Sequence, residues 1–211
     1  MTAQKAKFIT FEGGEGAGKT TQIQTIETAL KNKGYHVLKT REPGGTIGAE
    51  LLRTVLKDDP DTHWDAVSQV LILYAARRDL VEKVIKPALS RNTWVLCDRF
   101  ADSTFVYQGH AQSLGIDFVR SIHQAVLKDF EPDLTFFFDV PPQEGLRRAR
   151  RRNQQDFFET MHLSFHEKVY EGYKMLAHNN PRFFTVPGKL SPDHMSQIIF
   201  KALQEKFSLS L

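Results

Sequence analysis

The chain of 211 residues is poor in cysteine and contains no long apolar run. Its one cysteine, Cys97, cannot form a disulfide within the chain, so we expect a protein of the reducing cytoplasm. No run approaches the roughly 18 apolar residues that a membrane-spanning helix needs, and residues 1–5 do not lead into a signal-peptide core. The net charge of +3 is too small to indicate nucleic-acid binding by itself.

Short apolar runs alternate with helical patterns along the whole chain. Strands are predicted at Lys7–Glu12, His36–Thr40, Thr93–Asp98, Leu134–Asp139 and Arg182–Val186. Helices are predicted at Lys19–Lys33, Ala66–Leu89, Gly115–Asp129 and Pro142–Arg152, and after Ser191. The middle runs are continuously apolar, which is typical of strands that are covered on both faces of a parallel sheet. The alternation predicts one open α/β domain over residues 1–211.

A glycine-rich segment directly follows the first predicted strand. Residues 13–20 match the phosphate-binding pattern G-x-x-x-x-G-K-[ST] and open the helix at Lys19. Glycines let the backbone turn its N–H groups toward phosphates, and a helix N-terminus adds partial positive charge. Lys19 would reach the β- and γ-phosphates, and the Thr20 hydroxyl would face Mg²⁺. The predicted ATP-binding residues of this loop are Gly13, Gly14, Glu15, Gly16, Ala17, Gly18, Lys19, Thr20 and Thr21.

Residues outside the phosphate loop indicate which class of nucleotide-binding protein the chain belongs to. GTPases usually carry an N-K-x-D element for guanine, but the only Asn-Lys pair, Asn32-Lys33, is not followed by the required aspartate. No D-x-x-G switch element is present either. The short chain and the arginines outside the loop therefore favour a small phosphotransferase.

Three further segments carry a resemblance to a known family. They read T-R-E-P-G-G-T at 40–46, D-R-F-A-D-S-T-F-V-Y-Q-G at 98–109 and D-V-P-P-Q-E-G-L-R-R at 139–148. With the phosphate loop, they resemble the thymidylate kinases, which phosphorylate dTMP to dTDP, over nearly the whole chain. The resemblance implies a three-layer P-loop NTPase fold with a five-stranded parallel sheet flanked by helices. It also implies a homodimer, ATP as phosphoryl donor and Mg²⁺ as cofactor.

A phosphate monoester acceptor sets its own chemical requirements. It is largely dianionic near pH 7, because its second pKa is about 6, and so it needs no general base. It needs positive charge that holds two anions in line with water excluded, and the planar fork of arginine suits this task. The resemblance assigns the acceptor phosphate to Arg53, Arg77 and Arg99. Asp98 lies at the end of a predicted strand, where its carboxylate could help to hold hydrated Mg²⁺ together with the Thr20 hydroxyl of the loop.

The resemblance also assigns the nucleoside part of dTMP. Glu15 would face the sugar 3′-hydroxyl, and Tyr107 would crowd the 2′ side and so favour deoxyribose. Leu73 stands where the family usually has a phenylalanine that stacks on thymine, and Phe100 stands where it usually has Tyr or His. The full set predicted to bind dTMP is Glu15, Pro43, Arg53, Leu73, Arg77, Arg99, Ser103, Thr104, Tyr107 and Gln108.

Five arginines fall within residues 147–152. A solvated basic helix end, a nucleic-acid patch and a phosphotransferase lid would all explain them. The resemblance favours a lid at about 147–159, in which Arg148 lies on adenine while Arg150 and Arg152 swing toward the transferred phosphoryl group. It also implies that the lid, rather than the P-loop at Gly16, supplies an arginine, as in bacterial members. The predicted catalytic set is Lys19, Asp98, Arg99, Arg150 and Arg152.

Two other functions stay open on the sequence alone. Deoxynucleoside kinases share the loop pattern and carry a Glu-Pro pair whose glutamate acts as base for a sugar hydroxyl, and Glu42-Pro43 fits that description. The Gly44-Gly45-Thr46 continuation and the arginines at 53 and 77 favour a phosphate acceptor instead. A non-catalytic nucleotide- or RNA-binding protein would use the arginine run and would take no small acceptor.

Overall fold

A five-stranded parallel sheet in the order β2-β3-β1-β4-β5 organises the fold. We describe it from a computed structural model, which covers residues 5–57, 64–150, 161–178 and 180–209. The strands are β1 (Phe8–Glu12), β2 (Val37–Arg41), β3 (Trp94–Asp98), β4 (Leu134–Asp139) and β5 (Phe183–Pro187). Each begins and ends within one residue of its predicted bounds, so the predicted parallel α/β sheet is confirmed.

Helices cover both faces of this sheet. They are α1 (Lys19–Asn32), α2 (Ile47–Lys57), α3 (Ala66–Leu80), α4 (Lys86–Ser90), α5 (Ala101–Thr104), α6 (Ile116–Leu127), α7 (Pro142–Ala149), α8 (Leu163–Ala177) and α9 (Pro192–Phe207). A π-helical turn at Val81–Ile85 joins α3 to α4, and another at Phe105–Ala111 continues α5. None of the helices in the described ranges is long and apolar enough to cross a membrane.

One predicted helix is longer than the observed one. The pattern predicts a helix over Pro142–Arg152, whereas α7 ends at Ala149 and Arg150 lies in the turn after it. Glu144 pairs with the arginines three and four positions later and so supports the last turn of α7. Arg150 has Leu146 four positions earlier and receives no such support. Residues 151 and 152 lie outside the described part of the chain.

The side chains of β1 alternate between two apolar cores. Ile9 and Phe11 pack with α1 and α9, whereas Phe8 packs on the opposite face with α3, α4 and α6. By the same alternation, Thr10 and Glu12 lie on the face of Phe8. Since β1 is flanked by β3 on one side and β4 on the other, the strand order reverses next to it. Ligands of parallel α/β sheets bind outside the carboxyl ends of the strands at such a reversal.

Candidate active site

The phosphate loop leaves β1 after Glu12 and lies directly against α7. Gly16 has a φ of 65°, and a Cβ there would lie 2.0 Å from the carbonyl oxygen of Gly145. A Cβ on Gly145 would in turn lie 2.3 Å from the carbonyl oxygen of Glu15. The two backbones approach so closely that neither glycine has room for a side chain. This loop therefore cannot carry an arginine at position 16.

Lys19 is buried at the start of α1, inside the loop that it closes. Its Nζ donates hydrogen bonds to the carbonyl oxygens of Gly13 at 3.1 Å and Gly14 at 3.0 Å. Burial and the charge of Arg99 lower the pKa of Lys19, and the nearby carboxylates of Asp98 and Glu15 oppose that shift. The ammonium group thus lies where a P-loop lysine meets the β- and γ-phosphates.

Thr20 and Asp98 connect the first turn of α1 to the carboxyl end of β3. The Thr20 hydroxyl donates to Oδ2 of Asp98 at 3.1 Å. Both side chains offer oxygen ligands, and Mg²⁺ is usually held by one or two such groups together with phosphates and water. The described residues contain no cluster of three or more His, Cys, Asp or Glu side chains that could hold a metal by itself. The two oxygens of Thr20 and Asp98 fit an Mg²⁺ ion that also binds nucleotide phosphates and water.

Arg99 joins the phosphate loop to the segment after β3. Its Nη2 donates to Oε1 of Glu15 at 2.5 Å, and its Nη1 donates to the carbonyl oxygen of Gly13 at 3.1 Å. The guanidinium carbon lies 5.2 Å from the centre of the Tyr107 ring, a cation–π contact. The Tyr107 hydroxyl donates to the same Glu15 oxygen at 3.1 Å. Two segments that are more than 80 positions apart in the chain thus share one ion pair.

Glu15 is ionised at neutral pH. Burial alone would raise its pKa, but the charges of Arg99 and Lys19 and the hydrogen bond from Tyr107 outweigh that effect and lower its pKa to about 2. A carboxylate of such low basicity is a poor proton acceptor at neutral pH. Glu15 balances the charge of Arg99 and is not suited to act as a general base.

A second ion pair lies deeper, between the loop after β2 and α3. Arg77 is only 2% exposed, and its Nε donates to Oε2 of Glu42 at 2.7 Å. Its Nη2 donates to Thr104 Oγ1 at 3.0 Å, and its guanidinium faces the rings of Tyr74 at 4.5 Å and Phe100 at 5.4 Å. Its Nη1 has no hydrogen-bond partner within the described part of the chain.

Glu42 is therefore engaged in holding Arg77. Burial raises the pKa of Glu42, and the charge and hydrogen bond of Arg77 oppose that rise. A base for a sugar hydroxyl must reach its substrate, whereas this carboxylate is buried and paired. The geometry therefore favours a role for Glu42 in holding Arg77 over the role of a general base, which the corresponding glutamate has in deoxynucleoside kinases.

Three further side chains that are predicted to bind dTMP are Gln108, Arg53 and Leu73. Gln108 is buried, and its Nε2 donates to Oε1 of Gln69 at 2.9 Å. Arg53 donates from Nη1 to the carbonyl oxygen of Pro43 at 2.8 Å. Leu73 is half-buried on α3, one turn before Arg77, and belongs to none of the apolar clusters that the described residues form. A half-buried leucine outside the cores is consistent with a position on a pocket wall.

The predicted lid lies only partly within the described residues. Arg148 donates from Nε to Glu144 Oε1 at 2.8 Å and from Nη2 to the carbonyl oxygen of Gly188 at 3.2 Å, beside the loop after β5. Arg150 is exposed after the end of α7. Arg152 and the rest of the predicted lid, residues 151–159, lie outside the described residues.

Two buried polar side chains beside the site were not predicted as functional residues. They are Glu12 at the end of β1 and Tyr173 on α8. Burial and the charge of Asp102 raise the pKa of Glu12 to about 7, although hydrogen bonds and the charge of Arg99 oppose the rise. The signal for Glu12 is an acidic residue that ends an apolar strand just before the loop. No local pattern identifies Tyr173, because α8 itself is not predicted.

Comparisons with known proteins point in one direction. A family model described as thymidylate kinase matches residues 11–199. A thymidylate kinase of Afipia carboxidovorans is 43% identical over 211 residues, which cover 98% of this chain and 92% of that protein. One of Bacillus pumilus is 42% identical over 204 residues, with 94% and 95% covered. The crystal structure of a thymidylate kinase from Ehrlichia chaffeensis matches with a TM-score of 0.77 and 32% identity, over 94% of this chain and 99% of that one.

Proposed function

Because the chain belongs to the thymidylate kinase family, we infer that its P-loop holds the phosphoryl donor and that Arg99 holds the acceptor phosphate. The protein phosphorylates dTMP to dTDP, and the family implies ATP as the donor. One observation supports the assignment of Arg99 to the acceptor phosphate. Arg99 bridges the loop carbonyl of Gly13 and the carboxylate of Glu15, so it places positive charge at the mouth of the donor site.

The reaction needs no general base in this arrangement. An oxygen of the acceptor dianion attacks the γ-phosphorus of ATP, the bond from that phosphorus to the β–γ bridging oxygen breaks, and ADP leaves. Lys19 and Arg99 supply fixed positive charge beside the two anions, which would otherwise repel each other. The low pKa of Glu15, which makes this carboxylate a weak base, agrees with a step in which no side chain has to take a proton.

We propose Mg²⁺ as the cofactor, held by Thr20 and Asp98 together with the nucleotide. When bound, the ion neutralises charge on the β- and γ-phosphates. The Thr20 hydroxyl would bind it directly, and the Asp98 carboxylate would hold its water ligands. The hydrogen bond between these two side chains supports the proposal, because it brings both oxygens to one point beside the loop.

The Asp98→Asn variant tests this metal site. An amide oxygen carries no negative charge, so we expect the Mg²⁺ concentration for half-maximal ATP binding and turnover to rise roughly 10–100-fold. Calorimetric ATP titrations at several Mg²⁺ concentrations measure the first quantity without any acceptor. Asp139→Asn is the matched control, since Asp139 ends the neighbouring strand β4 and accepts from the Tyr170 hydroxyl at 2.6 Å. An Mg²⁺ dependence that Asp98→Asn leaves unchanged would rule the assignment out.

We propose that the remaining predicted residues bind dTMP and close the site as the family resemblance implies. The Nη1 of Arg77 supports this, since a buried donor without a partner is costly and an oxygen of the acceptor nucleotide would satisfy it. The half-buried position of Leu73 suits contact with a base. We further propose one kinase domain over residues 1–211, with a lid at about 147–159 that carries Arg148, Arg150 and Arg152.

A homodimer is proposed through exposed apolar side chains on α2 and α3. Ile47 is 87% exposed and Leu51, one turn later on α2, is 65% exposed, while Leu71 on α3 is 53% exposed. Val55 and Val67 extend the two groups. Because α2 packs against α3, we infer that these side chains form one apolar patch, and a second copy of the chain would remove it from water.

Leu51→Glu should convert such a dimer into a monomer. An unpaired charge buried in the interface costs about 2 kcal/mol or more, which is ~30-fold or more in the dissociation constant. Sedimentation equilibrium measures the change. Met175→Glu, at a half-exposed position on α8, is the control that should leave the dimer intact. A wild-type protein that sediments as a monomer, or a dimer that Leu51→Glu leaves unaltered, would refute the proposed interface.

The location that we propose is the cytoplasm. The single cysteine is a free thiol buried in β3. Burial raises the pKa of the Cys97 thiol well above its usual range, which keeps it protonated and unreactive. A protein that depends on no internal disulfide suits a reducing compartment.

A further inference from the structure

Glu12 is a buried carboxylate that the mechanism above does not use. It ends β1, directly before the phosphate loop, and its side chain is 0% exposed. Its Oε1 accepts the backbone N–H of Phe100 at 2.7 Å, and its Oε2 accepts from the hydroxyls of Ser103 at 2.7 Å and Tyr173 at 2.8 Å. Burial of a carboxylate is unfavourable unless hydrogen bonds compensate it, and here three donors converge on it.

Both hydroxyl donors also contact Arg99. The oxygens of Ser103 and Tyr173 accept hydrogen bonds from Nη1 of Arg99, at 3.4 Å and 3.3 Å. A hydroxyl has one proton to donate and keeps its lone pairs for accepting. Because each hydroxyl donates its one hydrogen bond to Glu12, its oxygen is left to accept a hydrogen bond from the guanidinium. The carboxylate therefore acts on Arg99 without touching it.

The third hydrogen bond supports the backbone at Arg99. This residue has a φ of 68°, in the left-handed region that residues other than glycine rarely adopt. The next peptide N–H along the chain belongs to Phe100 and is fixed by Glu12 Oε1. The unusual backbone conformation of Arg99 and the direction of its guanidinium thus depend on the same carboxylate.

We propose that Glu12 is the positioning residue for Arg99. Through Phe100, Ser103 and Tyr173 it holds the guanidinium at Gly13 and Glu15, where it meets the acceptor phosphate. The inference rests on the proposed function of Arg99 as the acceptor-phosphate ligand. Glu12 itself makes no contact with substrate in this role.

Glu12→Gln is the first test, because it keeps the shape of the side chain. The amide replaces one acceptor oxygen with a donor group, so at least one donor loses its partner and the support of Arg99 is disturbed. We expect kcat/KM for dTMP to fall by about tenfold or more, while the dissociation constant for ATP without acceptor changes by less than about threefold.

Thr10→Val is the matched control. Thr10 lies two residues earlier on the same face of β1, and its hydroxyl is hydrogen-bonded to that of Thr135 at 2.8 Å in the buried interior. Its replacement removes a buried hydrogen bond without touching the Arg99 network. The variant should lower the melting temperature and leave kcat/KM for dTMP at the wild-type value. Equal losses of kcat/KM in Thr10→Val and Glu12→Gln would overturn the proposal.

Combination with Arg99→Ala separates positioning from a general structural role. If Glu12 acts through Arg99, adding Glu12→Gln to Arg99→Ala should reduce kcat/KM no further, within about twofold. A loss that adds fully to that of Arg99→Ala, or a Glu12→Gln enzyme with wild-type kcat/KM, overturns the inference. If Arg99→Ala alone leaves kcat/KM for dTMP intact, the proposed function of Arg99 fails, and the inference fails with it.

Tyr173→Phe provides the same test if Glu12→Gln does not fold. It removes one of the two hydroxyl bridges and leaves the carboxylate in place. We expect a loss of kcat/KM for dTMP of about threefold or more, which disappears in the Arg99→Ala background. A Tyr173→Phe enzyme with unchanged kcat/KM, or with a loss that persists beside Arg99→Ala, contradicts the proposal.

Discussion

Replacing Lys19 by alanine is expected to abolish phosphoryl transfer while the protein stays folded. The Nζ of Lys19 is hydrogen-bonded to the carbonyl oxygens of Gly13 and Gly14, both within the phosphate loop itself. Its removal takes positive charge away from the point where negative charge develops on the transferred group. The loss in kcat should be at least about 10²–10³-fold. A coupled assay of ADP formation measures it, with circular dichroism to follow the fold.

Lys31→Ala is the control for Lys19→Ala. Lys31 lies at the other end of the same helix, where it pairs with Glu27 at 2.7 Å. Lys31 lies outside the phosphate loop, and in its absence Glu27 keeps a second partner in Lys39 at 3.1 Å, so this variant should turn over like the wild type. A folded Lys19→Ala enzyme with near-wild-type turnover would be incompatible with the proposed donor site.

Arg99→Ala is expected to destroy use of the acceptor and to spare binding of ATP. The variant loses the guanidinium that we propose as the ligand of the acceptor phosphate, and it leaves Glu15 as an anion without its main counter-charge. The first change removes an attraction for the incoming dianion and the second repels it, so the KM for dTMP should rise and kcat should fall together. The expected loss in kcat/KM is about 10²–10³-fold. Arg99→Lys should restore little, because an ammonium group lacks the planar fork.

The ATP dissociation constant distinguishes the two sides of the site. Measured by calorimetry without acceptor, it should barely change in Arg99→Ala. Arg78→Ala is the control, since this arginine lies on the exposed side of α3 and contacts Glu82 and the carbonyl oxygen of Val126. Collapse of ATP binding in Arg99→Ala would place this arginine on the donor side instead.

Much of the fold could be predicted from the sequence, and so could the contact between the phosphate loop and the segment that contains Arg99. The strands are predictable because their apolar runs are short and bounded by polar residues and glycines. The contact of the phosphate loop with Arg99 is a consequence of the parallel sheet, in which β1 and β3 pair and end at the same edge. The loop conformation is predictable because a glycine-rich turn into a helix allows few alternatives.

The rest depends on contacts between distant residues, which no local pattern encodes. The pairing of Arg77 with Glu42, 35 positions apart, and that of Glu12 with Tyr173, 161 positions apart, exist only in the folded chain. Helix α2 is not predicted. Its apolar residues Ile47 and Leu51 are exposed, so they do not belong to the buried core that an apolar pattern normally indicates. The prediction for the arginine-rich segment extends α7 beyond its observed end at Ala149. Helical periodicity does not indicate that, among the described residues, Glu144 pairs only with the arginines three and four positions later.

The acceptor preference of the wild-type enzyme tests the central claim most directly, since it asks whether the site reads a phosphate group. ADP formation should be measured at saturating ATP and Mg²⁺ with dTMP, thymidine, dUMP, AMP and GMP as acceptors. The arrangement of Arg99, Glu15 and the phosphate loop predicts rapid ADP formation with dTMP and only background rates with thymidine, which brings no acceptor phosphate. Thymidine used as well as dTMP, or no acceptor raising ADP formation above background, would contradict the account.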